Sequence, residues 1–264
     1  MNNLVLRAIS GAVYVAVIVL AVLCGQVWLS LLVAVMAILG TAEFLKLSDN
    51  RTSLPVKAFT MVLTVALAVS GCYDVPSVIL LCIFPFLRCS LTLADRNDTA
   101  LRDTATDMLC FLYIGIGLGT LGNIYSLAGR DFVLLMFVLI WLNDTGAYLT
   151  GSSFGRTRLC ERLSPKKSWE GFWGGMLFCI VAGGMAGHYG MGPARNILAG
   201  ALFGVAVSVF STMGDLFESA LKRHAGVKDS GNIIPGHGGL LDRIDSLLFV
   251  APASLLFTLL VCYI

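Results

Sequence analysis

The chain has 264 residues, 57% of them hydrophobic and 13% charged, with a formal net charge of +2. A soluble domain carries roughly 25% charged residues, so the apolar excess is too large for one globular core and excludes a water-soluble fold. The net charge says little, because its distribution matters more than its sum.

Long apolar stretches recur, as in a polytopic membrane protein. In chain order they cover about residues 4–24, 27–45, 58–71, 78–94, 108–124, 132–150, 172–188, 196–212 and 244–263. Nine helical spans fit best, the third of them short for a segment that needs about 20 residues to cross a bilayer. Arg7 precedes an apolar run, but no small-x-small cleavage site ends that run, so a retained first helix is expected. The expected fold is all-α and membrane-embedded as a single domain over residues 1–264. Spans one to five, residues 1–131, are generic, whereas residues 132–264 carry the two motif loops, 151–171 and 214–245.

Basic residues set the orientation. With a cytoplasmic N-terminus, sixteen of the eighteen lysines and arginines fall on the cytoplasmic side, and only Arg130 and Arg195 fall outside. The positive-inside rule then places the C-terminus outside. Arg88 and Arg96 belong to the inner set, and Arg88 is close enough to the end of its span to snorkel. Eight cysteines contain no C-x-x-C pair, so neither a zinc site nor a disulfide framework is expected.

The unusual chemistry sits in the two cytoplasmic loops. Asp144, in WLNDTGAY, lies several residues inside the sixth apolar run and should face protein or water. It reads either as a helix-packing carboxylate bonded to Thr145 or Tyr148 or as a functional group of undefined role. Next, Arg156, Arg158, Arg162, Lys166 and Lys167 form a basic interfacial stretch. Anionic headgroups attract such a stretch by about 1 kcal/mol per basic residue. Ser164-Pro165 is expected to be a turn, Ser168 to cap a helix, and Glu170-Gly171 to open the seventh span. Lysines ahead of a helix N-terminus suggest an anion site, where free N–H groups and the helix dipole converge on a phosphate.

The later loop adds acid to base. Asp215 and Glu218 share a helix face if helicity continues past the eighth span, with Ser219 and Lys222 a turn further on. Asp242 and Asp245 repeat that spacing. Carboxylates in a basic, glycine-rich interfacial loop suit Mg²⁺, which takes one or two protein carboxylates together with substrate phosphates. The alternative is a salt-bridged loop in which Asp242 and Asp245 neutralise Arg243 and Lys222. Gly231, Gly236, Gly238, Gly239 and Pro235 surround His237. Such glycines let backbone approach a ligand or take positive φ. His237 lacks a second histidine at ligand spacing and is expected to donate a hydrogen bond to phosphate.

The run S-A-L-K-R-(x)4-K-D-S-G-N-I-I-P-G-H-G-G-L-L-D-R-I-D, residues 219–245, resembles the signature of the phosphatidate cytidylyltransferase (CDP-diacylglycerol synthase) family. S-P-K-K-S-W-E-G-F, residues 164–172, resembles an upstream motif of the same family, with Ser168 where threonine is frequent. D-T-G-A-Y after Asn143 also fits.

The resemblance implies the conversion of CTP and phosphatidate to CDP-diacylglycerol and pyrophosphate. The reaction would be Mg²⁺-dependent, with K⁺ nearby, at the cytoplasmic face of the plasma membrane, in a homodimer. Asp215 and Asp242 match the family's metal carboxylates, with Glu218 and Asp245 as further candidates. Lys222, Arg223 and Arg243 join the catalytic set. Lys166, Lys167, Ser168, Trp169, Glu170, Gly171, Lys228, Asp229, His237, Gly238, Gly239 and Asp144 form the candidate substrate-binding set. Trp169 reads equally as a stacking face for cytosine or as an interfacial anchor. Membrane lipids are expected partners, and nucleic acid is not.

Three rivals fit less well. A CDP-alcohol phosphotransferase needs D-G-x-x-A-R with spaced aspartates, which this sequence lacks. A polyprenol kinase would use CTP, but the complete H-G-G-x-x-D-R-x-D ending disfavours it. A transporter of an anionic substrate places charge at mid-membrane, often on inverted repeats.

Overall fold

The computed structural model describes residues 3–263 except 74, 96, 194 and 234–237. Arg96, Pro235, Gly236 and His237 therefore lie outside the described residues. The helices are α1 (Asn3–Cys24), α2 (Gln26–Leu47), α3 (Leu54–Ser70), α4 (Ser77–Ala94), α5 (Ala100–Cys110), α6 (Gly117–Ala128), α7 (Arg130–Phe154), α8 (Trp169–His188), α9 (Ile197–His224) and α10 (Leu241–Tyr263). A π-helical turn, Phe111–Ile116, joins α5 to α6. Gly25 and Gly129, at φ 108° and 82°, separate the two closest pairs of successive helices, in a backbone region where other residues are strained.

Among the described residues, six helical stretches are long and apolar enough to cross a membrane: Gln26–Leu47, Ser77–Ala94, Ala100–Ala128, Arg130–Phe154, Ile197–His224 and Leu241–Val261. Ala8–Cys24 and Leu54–Ser70 are shorter apolar helices. The protein is a helical, polytopic membrane protein. Among the described residues there is also a hairpin of β1 (Arg158–Cys160) and β2 (Ser164–Ser168), paired antiparallel with Arg158 opposite Ser168.

The structure corrects four local expectations. Ser164-Pro165 begins strand β2, and the turn lies just before it, where the Leu163 N–H donates to the Cys160 carbonyl at 3.3 Å. Proline cannot donate to a ladder but is tolerated in an edge strand. Helix α9 runs on to His224, because hydrogen-bonded turns propagate through polar residues that an apolar window excludes. The helix leading into the fifth span likewise starts at Ala100, well before residue 108. Arg88 does not snorkel. It is 1% exposed, and its Nε donates to Asp107 Oδ2 at 2.6 Å. Asn50 Nδ2 donates to the other oxygen of Asp107 at 2.8 Å. A buried guanidinium needs an opposite charge more than a route to water.

Two compact units are present: residues 1–123 with 224–243, and residues 124–223 with 244–264. In the first, Leu67, Phe84 and Phe111 form an apolar cluster, with the rings of Phe84 and Phe111 stacked at 4.1 Å. In the second, α8 and α9 meet backbone to backbone. A Cβ on Gly200 would lie 2.0 Å from the Gly183 carbonyl oxygen. Asn143 ties α7 to α9, accepting from Ser208 Oγ at 2.7 Å and donating to Ser211 Oγ at 3.3 Å.

Candidate active site

The start of α8 orders the first part of the site. Ser168 caps the helix, its Oγ accepting from the Gly171 N–H at 3.1 Å. Trp169 N–H donates to the Thr157 carbonyl at 2.9 Å. The Glu170 carboxylate folds back over the hairpin and accepts from the N–H groups of Arg156 and Thr157, each at 3.1 Å. Its own N–H, then those two, hold its pKa at about 2 against an ordinary 4.5. The expectation of an open anion site at this helix N-terminus is thereby corrected. Its first N–H groups are taken by Thr157, Glu170 and Ser168, so the positive charge available there is that of side-chain ammonium groups instead.

Those ammonium groups line a cavity of about 420 Å³ in the second unit. Its walls include Asp144, Tyr148, Lys166, Lys167, Ser168 and Asp215. Lys167 reaches from β2 to Asp215 on α9, with Nζ 2.5 Å from Oδ2. Both side chains are about a third exposed, at 29% and 33%, which leaves the pair open to a ligand. Asp245 lies within electrostatic reach of Asp215, Asp144 and Lys167. Asp144 is exposed on α7, and the Thr145 hydroxyl donates to the Trp141 carbonyl at 2.8 Å. Asp144 thus belongs to the cavity wall.

Lys222 pairs with Glu218 one turn earlier on α9, and Glu218 is fully buried. Arg223 is exposed at the end of that helix. Trp169 is 43% exposed and meets Phe172 edge-on at 5.8 Å.

The other half of the signature lies in the first unit. Lys228 and Asp229 are exposed between α9 and α10. Asp242, in the first turn of α10, accepts at Oδ2 from Ser230 N–H, Ser230 Oγ and Gly239 N–H, each at 2.9 Å. Arg243 is exposed, and its carbonyl accepts from the Tyr14 hydroxyl at 2.9 Å. The close approach expected of the glycines is real, but what approaches is the chain's own carboxylates. Gly238 has φ 84°, and a Cβ there would lie 2.7 Å from Asp242 Oδ2. A Cβ on Gly239 would lie 2.1 Å from Ser230 Oγ and 2.5 Å from Glu43 Oε2.

Glu43 escaped the sequence reading. It is 4% exposed near the end of α2, and a lone glutamate there reads as an interfacial residue. The usable signal was its position inside an apolar run.

Among the described residues no three His, Cys, Asp or Glu side chains converge as a metal cage. The donor set still fits Mg²⁺. Asp215 offers hard oxygens beside Asp144 and Asp245, and magnesium needs only one or two carboxylates when phosphates and water complete its shell.

Fold and cavity define a helical membrane protein that gathers carboxylates and ammonium groups in one cavity. The chain belongs to the cytidylyltransferase family, whose model matches residues 5–261. It is 43% identical over 169 residues to a phosphatidate cytidylyltransferase of Staphylococcus aureus (strain COL), covering 63% of this chain and 64% of that relative. A phosphatidate cytidylyltransferase of Staphylococcus epidermidis is 40% identical over 167 residues, with the same shares covered. One of Staphylococcus haemolyticus is 39% identical over 171 residues. The matched segment thus spans just under two thirds of these relatives' length.

Proposed function

We propose that the protein is a phosphatidate cytidylyltransferase, forming CDP-diacylglycerol and pyrophosphate from CTP and phosphatidate. The observation that carries this reading is the Lys167–Asp215 pair in a cavity shared with Asp144, Lys166 and Ser168, in a chain of the cytidylyltransferase family. The full reading has nine spans, a cytoplasmic N-terminus, an external C-terminus and a homodimer in the plasma membrane, with the site at the cytoplasmic face.

The chemistry needs little from a general base. A phosphate monoester has a second pKa of about 6, so phosphatidate already carries an anionic oxygen at neutral pH. That oxygen attacks the α-phosphorus of CTP, and the bond to the β-phosphate oxygen breaks to release pyrophosphate. The protein's task is to bring two polyanions together and offset their charge. Lys166 and Lys167 bind phosphate oxygens in the cavity, with Ser168 beside them, and Asp215 keeps the Lys167 ammonium directed there. Arg223, Lys228, Arg243 and His237 offset further charge, and Lys222 does so from its pair with Glu218. Trp169 offers a stacking face to cytosine. Asp215 and Asp242 are the carboxylates proposed for Mg²⁺, with K⁺ as a second ion. When bound, Mg²⁺ would neutralise charge on the nucleotide phosphates and the departing pyrophosphate.

Purified protein given phosphatidate and CTP labelled at the α- or γ-phosphate, with and without Mg²⁺, tests the proposal. Lipid should take up the α-label only when Mg²⁺ is present. Uptake of the γ-label would instead make the protein a lipid kinase. Asp242→Asn should abolish α-label transfer while the protein still inserts and stays monodisperse in detergent. Substantial remaining transfer would remove Asp242 from the metal set.

A further inference from the structure

The glycine-rich loop before α10 is built around a carboxylate that comes from nearly 200 positions earlier. Glu43 Oε1 accepts from the Leu240 N–H at 2.9 Å, and Oε2 accepts from the Leu241 N–H at 2.8 Å and from Ser230 Oγ at 3.1 Å. Leu241 opens α10, so Glu43 takes N–H groups that a helix leaves orphaned at its N-terminus and places negative charge at the positive end of the helix dipole. The Ser230 hydroxyl touches both Glu43 Oε2 and Asp242 Oδ2, so one side chain links the two carboxylates.

The surrounding glycines match this arrangement. An added Cβ would come within 2.6 Å of Glu43 Oε1 at Gly231, and within 2.5 Å of Oε2 and 2.7 Å of Oε1 at Gly239. The loop has room for this carboxylate and for no side chain in its place. A buried carboxylate costs several kcal/mol unless it is paired with donors; here two backbone N–H groups point at it, and the single Ser230 hydroxyl proton is shared between it and Asp242.

We infer that Glu43 is a positioning residue: through Ser230 and the first amides of α10 it sets the place of the Asp242 carboxylate. The inference rests on the proposed activity only for its functional consequence, because the arrangement itself is independent of substrate. Partners that orient metal-binding carboxylates typically change metal affinity or activity by roughly 10–100-fold when removed.

The test uses Glu43→Gln and Gly239→Ala in the full-length protein in detergent. Glu43→Gln sets an NH₂ group against at least one of the donors that Glu43 now accepts from. Gly239→Ala displaces the same carboxylate from the opposite side. In the absence of substrates, amide exchange at Leu240 and Leu241 should quicken about tenfold or more in both variants, with α7 to α9 unchanged. The Mg²⁺ concentration giving half-maximal α-label transfer should rise roughly 10–100-fold in both variants, and in Glu43→Gln the KM for phosphatidate should stay within about twofold of the parent. The double variant should be little worse than either single one, since both act on one contact. Unchanged exchange at Leu240 and Leu241 would overturn the inference, as would loss of protection spread evenly over the whole chain. An unchanged Mg²⁺ midpoint with quickened local exchange would also overturn it. If the parent protein transfers no α-label, the proposed activity fails, and the exchange measurement still decides whether Glu43 orders the loop.

Discussion

Lys167 is the residue on which the cavity turns. It reaches Asp215 from a short strand whose far end is the cap of α8, so its position depends on the hairpin as much as on its own charge. Lys167→Ala should raise the apparent KM for CTP or phosphatidate about tenfold or more, the loss of one charge-assisted contact worth about 1.5–3 kcal/mol. Thermal stability should change little, because a pair this exposed contributes about 0–1 kcal/mol. If neither KM moves, the lysine does not bind substrate phosphate. Glu170 sits beside it with a different task. Its pKa is lowered from 4.5 to about 2, so the folded state favours the carboxylate. That contribution is complete above the unfolded value and disappears as pH falls through 4.5 towards 2. Thermal unfolding of the parent should therefore show a pH-dependent loss between these values that Glu170→Gln lacks. Identical pH profiles would show that the carboxylate does not hold the hairpin.

At the scale of elements, the second unit depends on helices that touch through backbone. With Gly200 and Gly183 in mutual contact, a larger side chain meets a carbonyl that cannot rotate away. Gly200→Val should cost at least the ~1–3 kcal/mol of ordinary overpacking, read as a lowered melting temperature. It should weaken activity less than it lowers stability, since Gly200 lies away from the cavity walls. A melting temperature equal to the parent's would mean that the two helices part freely. Element boundaries also decided where the chemistry sits. Because α9 continues to His224, Asp215, Glu218 and Lys222 stand on one rigid helix, and the segment called a loop from residue 214 is loop only after residue 224. Glu218 and Lys222 then meet at helical spacing and pair with each other, as neighbours on one helix face do.

At the scale of the whole molecule, the charge distribution makes a topological prediction. Glu161 and Arg195 are both exposed, and the proposed orientation sets them on opposite sides of the membrane. In a chain otherwise free of cysteine, an impermeant thiol reagent applied to intact cells should label Arg195→Cys and spare Glu161→Cys. Labelling of Glu161→Cys from outside would reverse the orientation and move the hairpin away from cytoplasmic CTP.

The sequence by itself determined the membrane class, the approximate place of the apolar helices and the places where charged residues cluster. Apolar runs and clustered charge are properties of composition along the chain, so Asp144, Asp215 and Lys167 were visible without coordinates. Tertiary structure decided which charges meet. Arg88 turns inward because Asp107 is there. The N–H groups of α8 are unavailable to phosphate because Thr157, Glu170 and Ser168 take them first. Glu43 finds its donors beyond residue 229. Hydrogen bonds and ion pairs act over about 3 Å in space, and linear spacing does not specify which distant donor a buried carboxylate will find.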